Sequence, residues 1–175
     1  LCDICLDCIG ERGNIFYKKL LKLLKEKLHF DSGSILILKR KKLKIIYGIG
    51  KVKKYVNKEI PLGQRVSGFA AKKNKILILI NSIKRYKNFK TLEEKKEVKK
   101  SYVIPLRCKG NVVGVLNLNY EKDIKLNLSK KDLSTIAATI AGAITFLARM
   151  LQYMAFFGSM DRDNRRSGNA FELVA

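Results

Sequence analysis

The sequence has no tryptophan, two prolines, one histidine and only 15 acidic residues among its 175. Each shortage excludes something. Two prolines and four cysteines rule out collagen-like and disulfide-stapled architectures. The single histidine, His29, follows an apolar helix end, and no Ser or carboxylate stands at a spacing that would make a triad with it. No charged leader with an apolar core and cleavage site is visible, so a cytoplasmic location is expected.

What is present is enough for a core. The chain is 47% apolar and 30% charged, which suits one globular domain, two at most. Its charge is far from balanced, at +22, with 37 cations. Nine of these are Arg and 28 are Lys. Phosphate-reading surfaces lean on the planar Arg fork, so the excess reads as lysine-biased composition. The stretch from Lys39 to Lys58 carries nine Lys/Arg and no acid, but only Tyr47 and Tyr55 could stack on bases. A nucleic-acid partner is therefore not expected.

Periodicity places the elements. Ile15, Phe16, Leu20, Leu23, Leu24 and Leu28 share one helical face, followed by the turn Asp31-Ser32-Gly33. Ser34 to Leu38 reads as a strand buried on both faces, and Leu43 to Tyr47 as its hairpin partner across Lys39 to Lys42. A short helix near Val52 to Val56, another from Val66 to Ala71, and an apolar strand from Ile76 to Ile80 follow. Tyr102 to Leu106 and Val112 to Leu118 flank Lys109-Gly110-Asn111, a second hairpin in which Gly110 supplies positive φ. Ser129 with Asp132 forms a capping box for a last helix, where Leu133, Ile136, Ile140, Ile144, Leu147, Leu151 and Met154 recur at steps of three and four. From Gly158 the period is lost. Hairpins with helices at both ends give an α+β fold, divided into a segment 1–13, a domain 14–157 and a linker or tail 158–175.

Three stretches resemble a known family. Ile60-Pro61-Leu62-Gly63 with Val66-Ser67-Gly68 and Ala70 is similar to the pocket segment of GAF domains. Ile104-Pro105-Leu106, Gly110, Val112 and Gly114-Val115-Leu116 resemble their closing hairpin, and Asp132-Leu133 their last helix. The resemblance implies a five- or six-stranded antiparallel sheet flanked by N- and C-terminal helices, GAF/PAS-like, with a ligand cavity on one face. It implies a regulatory sensor, with ligand contacts expected at Val66, Phe69, Tyr86, Phe89, Tyr102 and Ile104. The ligand is expected to be anionic or neutral and planar; its identity, like any cofactor, is unknown from the sequence. A module without ligand, which only dimerises, is the alternative.

Catalysis is not expected. The enzymes of this fold, free methionine sulfoxide reductases, carry a Cys just before the second Gly of the pocket segment, where this chain has Ser67. Cys108 has no resolving Cys nearby. Cyclic-nucleotide binders of the family share an Asn-Lys and a Phe-x-x-x-Asp-Glu motif; Asn119 and Asp132 match, whereas Tyr120, Leu128 and Leu133 depart. Cys2, Cys5 and Cys8 are spaced like part of a metal site, but no fourth ligand lies near, and no metal is expected. The uncharged run from Leu133 to Ala148 is 16 residues, short of the ~20 that span a bilayer. No membrane contact is expected, and the seam continuing to Met154 is assigned to a homodimer.

Overall fold

The computed structural model describes residues 14–80, 98–123 and 128–168. Helix α1 (Asn14–Leu28) leads into the hairpin β1 (Ser32–Lys39) and β2 (Lys42–Ile49), then a 3-10 helix (Gly50–Tyr55). Strand β3 (Glu59–Pro61), helix α2 (Arg65–Lys73) and strand β4 (Leu77–Ile80) follow. The hairpin β5 (Lys100–Cys108) and β6 (Asn111–Tyr120) precedes the long helix α3 (Lys130–Gly168). All six strands form one sheet in the order β3-β2-β1-β6-β5-β4, every pairing antiparallel. The expected α+β class is what the structure shows, and of the expected five or six strands the sheet has six among the described residues.

Both hairpins turn through two residues of positive φ, as the tight turn matching strand twist requires. Lys109 and Gly110 do so at 48° and 80°, and Arg40 and Lys41 at 44° and 63°, without the help of glycine. The capping box is present. Ser129 Oγ accepts from the Asp132 N–H at 3.1 Å, and Asp132 Oδ2 accepts from the Ser129 N–H at 2.9 Å. The Ser129 hydroxyl and N–H bonds hold the Asp132 carboxyl below its ordinary range.

Helices α1 and α3 cover one face of the sheet and α2 the other, giving two cores. Strand alternation sorts the residues: Ile35, Ile37, Tyr102, Ile104, Leu106, Leu116 and Leu118 enter the helix-side core. Leu36, Val103 and Val115 enter the α2-side core. In β2 the alternation changes phase. The register slips between Ile35 and Leu36 because Ile46 is an extra residue, so Ile45 faces α2 while Ile46 and Tyr47 face the terminal helices.

Two expectations need correction. The buried face of α1 is Tyr17 and Leu21, with Phe16, Leu20, Leu24 and Leu28 at its edges, whereas Ile15 and Leu23 are exposed. Tyr17, outside the expected stripe, is fully buried, as is Leu21. Helix α3 also runs past Gly158, where the apolar period ends, to Gly168.

Candidate functional site

The α2-side face of the sheet is divided along its strands. One half is apolar, with Leu36, Val103 and Val115 under Val66, Ala70 and Ala71 of α2. The other half is built from Ser32 and Ser34 of β1, Ser101 of β5, and Asn117 and Asn119 of β6. Register makes this a ladder: Ser32 lies opposite Asn119, Ser34 opposite Asn117, and Ser101 opposite Asn119 on the other side. Ser32, Ser34, Ser101 and Asn119 are buried; Asn117 is half-buried.

Hydrogen bonds tie the ladder into two rows. Ser101 Oγ donates to Asn119 Oδ1 at 2.7 Å, and Asn119 Nδ2 donates to Ser32 Oγ at 3.4 Å. Asn117 Nδ2 donates to Ser34 Oγ at 3.3 Å and to Ser67 Oγ at 3.0 Å, so the second row includes the first turn of α2. Ser67 marks the border between the two halves. The N-terminal end of α2 is therefore directed toward the polar half, where its first N–H groups favour a negative group. Gly68 lets α2 pack closely on the end of β3, since a Cβ there would collide with the Pro61 carbonyl oxygen.

The expected site residues do not form one wall. Val66 is buried on the α2 side, and Phe69 is half-buried on the same helix. Tyr102 and Ile104 lie on the opposite face, fully buried in the helix-side core. They are correctly in phase with each other, but Val103 and Ser101 are the β5 residues that share a face with Val66. A strand apolar on both faces carries no mark of which face meets which helix. Tyr86 and Phe89 lie outside the described residues. The residues that sequence reasoning missed are Ser32, Ser34, Ser101 and Asn117; serines and asparagines inside otherwise apolar strands were the available signal.

Other candidates resolve quickly. Gly114 admits a neighbouring strand rather than a helix or ligand, because a Cβ there would meet the Leu36 carbonyl oxygen. Pro105 sits where β5 has one neighbour, since β4 pairs only with Lys100 to Val103. Asp132 is engaged in the cap. Tyr120 faces the terminal helices and donates to the Leu28 carbonyl at 2.9 Å; burial, then its neighbours Tyr102 and Asp31, push its phenol up to about 12. Burial alone pushes the Tyr17 phenol higher still. Cys108 packs against the helix-side core, across the sheet from Ser67. Cys2, Cys5 and Cys8 lie outside the described residues.

The lysine-rich stretch forms an open depression lined by Gly50, Lys51, Lys53 and Lys54. Lys51 is paired with Glu121 at 3.0 Å, and the amines of Lys54 and Lys58 stand 5.2 and 5.1 Å from the Tyr55 ring centre. Tyr55 is thus occupied by cations rather than offered to a base.

Solved structures place this architecture. The type II free methionine-R-sulfoxide reductase from Thermoplasma acidophilum is 23% identical, with a TM-score of 0.64 over 82% of this chain and 96% of that one. The GAF domain of an Acinetobacter phosphoenolpyruvate-protein phosphotransferase is 18% identical, TM-score 0.60, over 73% and 78%. The GAF domain of a two-component sensor histidine kinase from Bacillus halodurans is 22% identical, TM-score 0.57, over 85% and 97%. The chain has the GAF-domain fold. No protein-family model matches it. Short stretches resemble two proteins called Protease HtpX homolog. That of Aquifex aeolicus (strain VF5) is 55% identical over 38 residues, 22% of this chain and 13% of that protein. That of Trichormus variabilis is 39% identical over 71 residues, 35% of this chain and 25% of that protein. The chain therefore spans between 13% and 25% of the length of these relatives. Within this GAF fold, the polar half of the α2-side face is the part that core packing does not require.

Proposed function

We propose that this GAF domain is a regulatory sensor that binds a small ligand, anionic or neutral and planar, on the polar half of its α2-side face. The observation that carries the reading is the ladder of Ser32, Ser34, Ser101, Asn117 and Asn119 in the middle strands of the sheet. Buried polar groups add little net stability over an apolar core, so their concentration at one spot is better explained by recognition. Hydroxyl and amide groups can exchange their mutual bonds for bonds to a ligand. Similarity to GAF domains of signalling proteins supports the same reading.

Relay follows from the strands. A ligand that takes the Asn117–Ser67 bond shifts β6 against α2. The next residues of β6, Leu116 and Leu118, press on the opposite core under α1 and α3. Displacement on one face thus reaches the terminal helices through one layer of backbone.

Binding rather than turnover is the proposed role. Ser67 cannot supply a thiolate, and Cys108 packs against the other core, so among the described residues a cysteine-based reduction has no pair of thiols at the polar face. The test is a thermal-shift screen of nucleotides, cyclic nucleotides, 2-oxo acids and aromatic metabolites on the native chain and on Asn117→Leu. A ligand at a hundredfold excess over its dissociation constant stabilises by about 2.7 kcal/mol. The expected result is a compound that raises melting of the native chain and not of the variant. No shift with any compound would favour the interaction module without ligand, and thioredoxin-dependent turnover of free methionine sulfoxide would overturn the non-catalytic reading.

A further inference from the structure

We infer that the outer face of the two terminal helices docks on an anionic lipid surface. Eight large apolar side chains are exposed among the described residues, and seven of them lie on α1 and α3. Phe146, Met150, Tyr153, Met154 and Phe157 form one stripe of α3, while Ile15 and Leu23 lie on α1; all seven are 44 to 68% exposed. The α3 stripe is a second face of that helix, opposite the side made by Leu133, Ala137, Ile140, Ile144 and Ala148, which is buried in the core.

Both helices lie on the same side of the sheet. Helix α1 packs over β1 and β2, and α3 over β5 and β6, so their outer faces look the same way. Cations border both sets: Arg149 stands within the α3 stripe, and lysines stand between Ile15 and Leu23 and beyond on α1. Helix α1 carries Lys18, Lys19, Lys22, Lys25 and Lys27 against one acid, Glu26. The chain as a whole is at +22. Aromatic and Met side chains for the acyl boundary, with lysines for the headgroups, make the pattern of an interfacial helix.

Charge chooses the occupant. A second copy would meet this face with the same face, since two-fold interfaces are self-complementary, and would bring lysine helices and two strongly positive domains together. An anionic bilayer is attracted by the same charge. Crossing is a different matter. Lys130–Ala155 is long and apolar enough by composition to span a membrane, but doing so would pull Leu133, Ile140 and Ile144 out of the core. The helix therefore lies along the surface. This assignment is an alternative to the homodimer expected from the apolar seam and to the expected absence of membrane contact.

The test uses the full chain with sedimenting vesicles of phosphatidylcholine alone or mixed with phosphatidylglycerol. Binding is expected to the mixed vesicles only, and to weaken as salt is raised. The double variants Phe146→Ser with Tyr153→Ser, and Lys18→Glu with Lys22→Glu, should each weaken it by about tenfold or more. All four positions are exposed, and unchanged melting temperatures would verify folding. Because the chain has no tryptophan, Met150→Trp provides a single, selectively excited tryptophan whose emission should shift to the blue on mixed vesicles only. Absence of binding, equal binding to neutral vesicles, or no emission shift would overturn the inference. So would a native dimer that the Phe146→Ser, Tyr153→Ser pair dissociates, whatever the vesicles show, because the second copy would then own the stripe. None of these readouts depends on the polar face opposite.

Discussion

The two faces of the central sheet are made by the same strands, one residue out of step, yet they have different chemistry. Toward the terminal helices the face carries one continuous apolar core, and its large groups include Tyr17, Tyr102 and Tyr120. Tyr102 and Tyr120 meet edge to face at 5.9 Å between ring centres. Toward α2 the apolar surface stops halfway, and serines and asparagines take over. A sheet needs one continuous apolar face to fold against, and the helix-side face provides it. The other face has room for chemistry that folding does not demand.

The tyrosines add a qualification. The hydroxyls of Tyr17 and Tyr102 are buried with no hydrogen-bond partner among the described residues. Each costs free energy on the face that should be carrying stability, and ring burial has to outweigh it. The polar ladder opposite, by contrast, is internally hydrogen-bonded. Polarity is thus satisfied within the ladder, whereas Tyr17 and Tyr102 on the helix side, like Arg65 Nη1 and Asn74 Oδ1 at the ends of α2, have polar atoms without a partner among the described residues.

The largest expected effect tests that division of labour directly. Ile104→Ala removes a fully buried side chain from the helix-side core and should destabilise by about 2–5 kcal/mol in chemical denaturation. A loss below about 1 kcal/mol would mean that this face is not the principal core. A smaller effect is expected one residue-phase away. Ser101→Ala deprives Asn119 Oδ1 of its 2.7 Å donor and should cost about 1–2 kcal/mol, whereas Ser67→Ala, at the half-buried end of the ladder by Asn117, should cost less. Equal costs would show that the ladder is uniform rather than closed at one end and accessible at the other.

The smallest effect concerns pH. Burial raises the Tyr120 phenol to about 12 from an ordinary value of about 10, so the fold favours its neutral form. That contribution is complete below pH ~10 and is lost as pH rises toward ~12. The melting temperature should fall across this window, and Tyr120→Phe should flatten the fall. An identical alkaline profile in the variant would assign the loss to other groups.

Much of the architecture was legible because it is local. Helix and strand identities, the Gly110 turn and the Ser129–Asp132 cap rest on residues within a few positions of each other, where spacing and residue type suffice. The pocket segment and closing hairpin carried the fold resemblance in the same way. Legibility failed where phase was needed. Ile35 to Leu38 is apolar at every position, so alternation says nothing about which face holds which helix. Tyr102 and Ile104 were therefore placed beside Val66 when a full sheet thickness separates them.

By itself the sequence determined the elements other than β3, their order, the excess of lysine and the shortage of acid, all properties of the chain read along its length. Only the tertiary structure decided which side chains meet. Ser32, Ser67, Ser101 and Asn119 come from four separate segments, and antiparallel register joins three of them while α2 packing adds the fourth. The Ile46 bulge reversed the facing of half a strand, which no pattern of residue types announces. Likewise, α3 reads as one apolar helix, and only its seat on the sheet divides it into a buried face and an exposed stripe. The physical reason is common to all three: hydrophobicity says that a residue seeks cover, but geometry decides which surface supplies it.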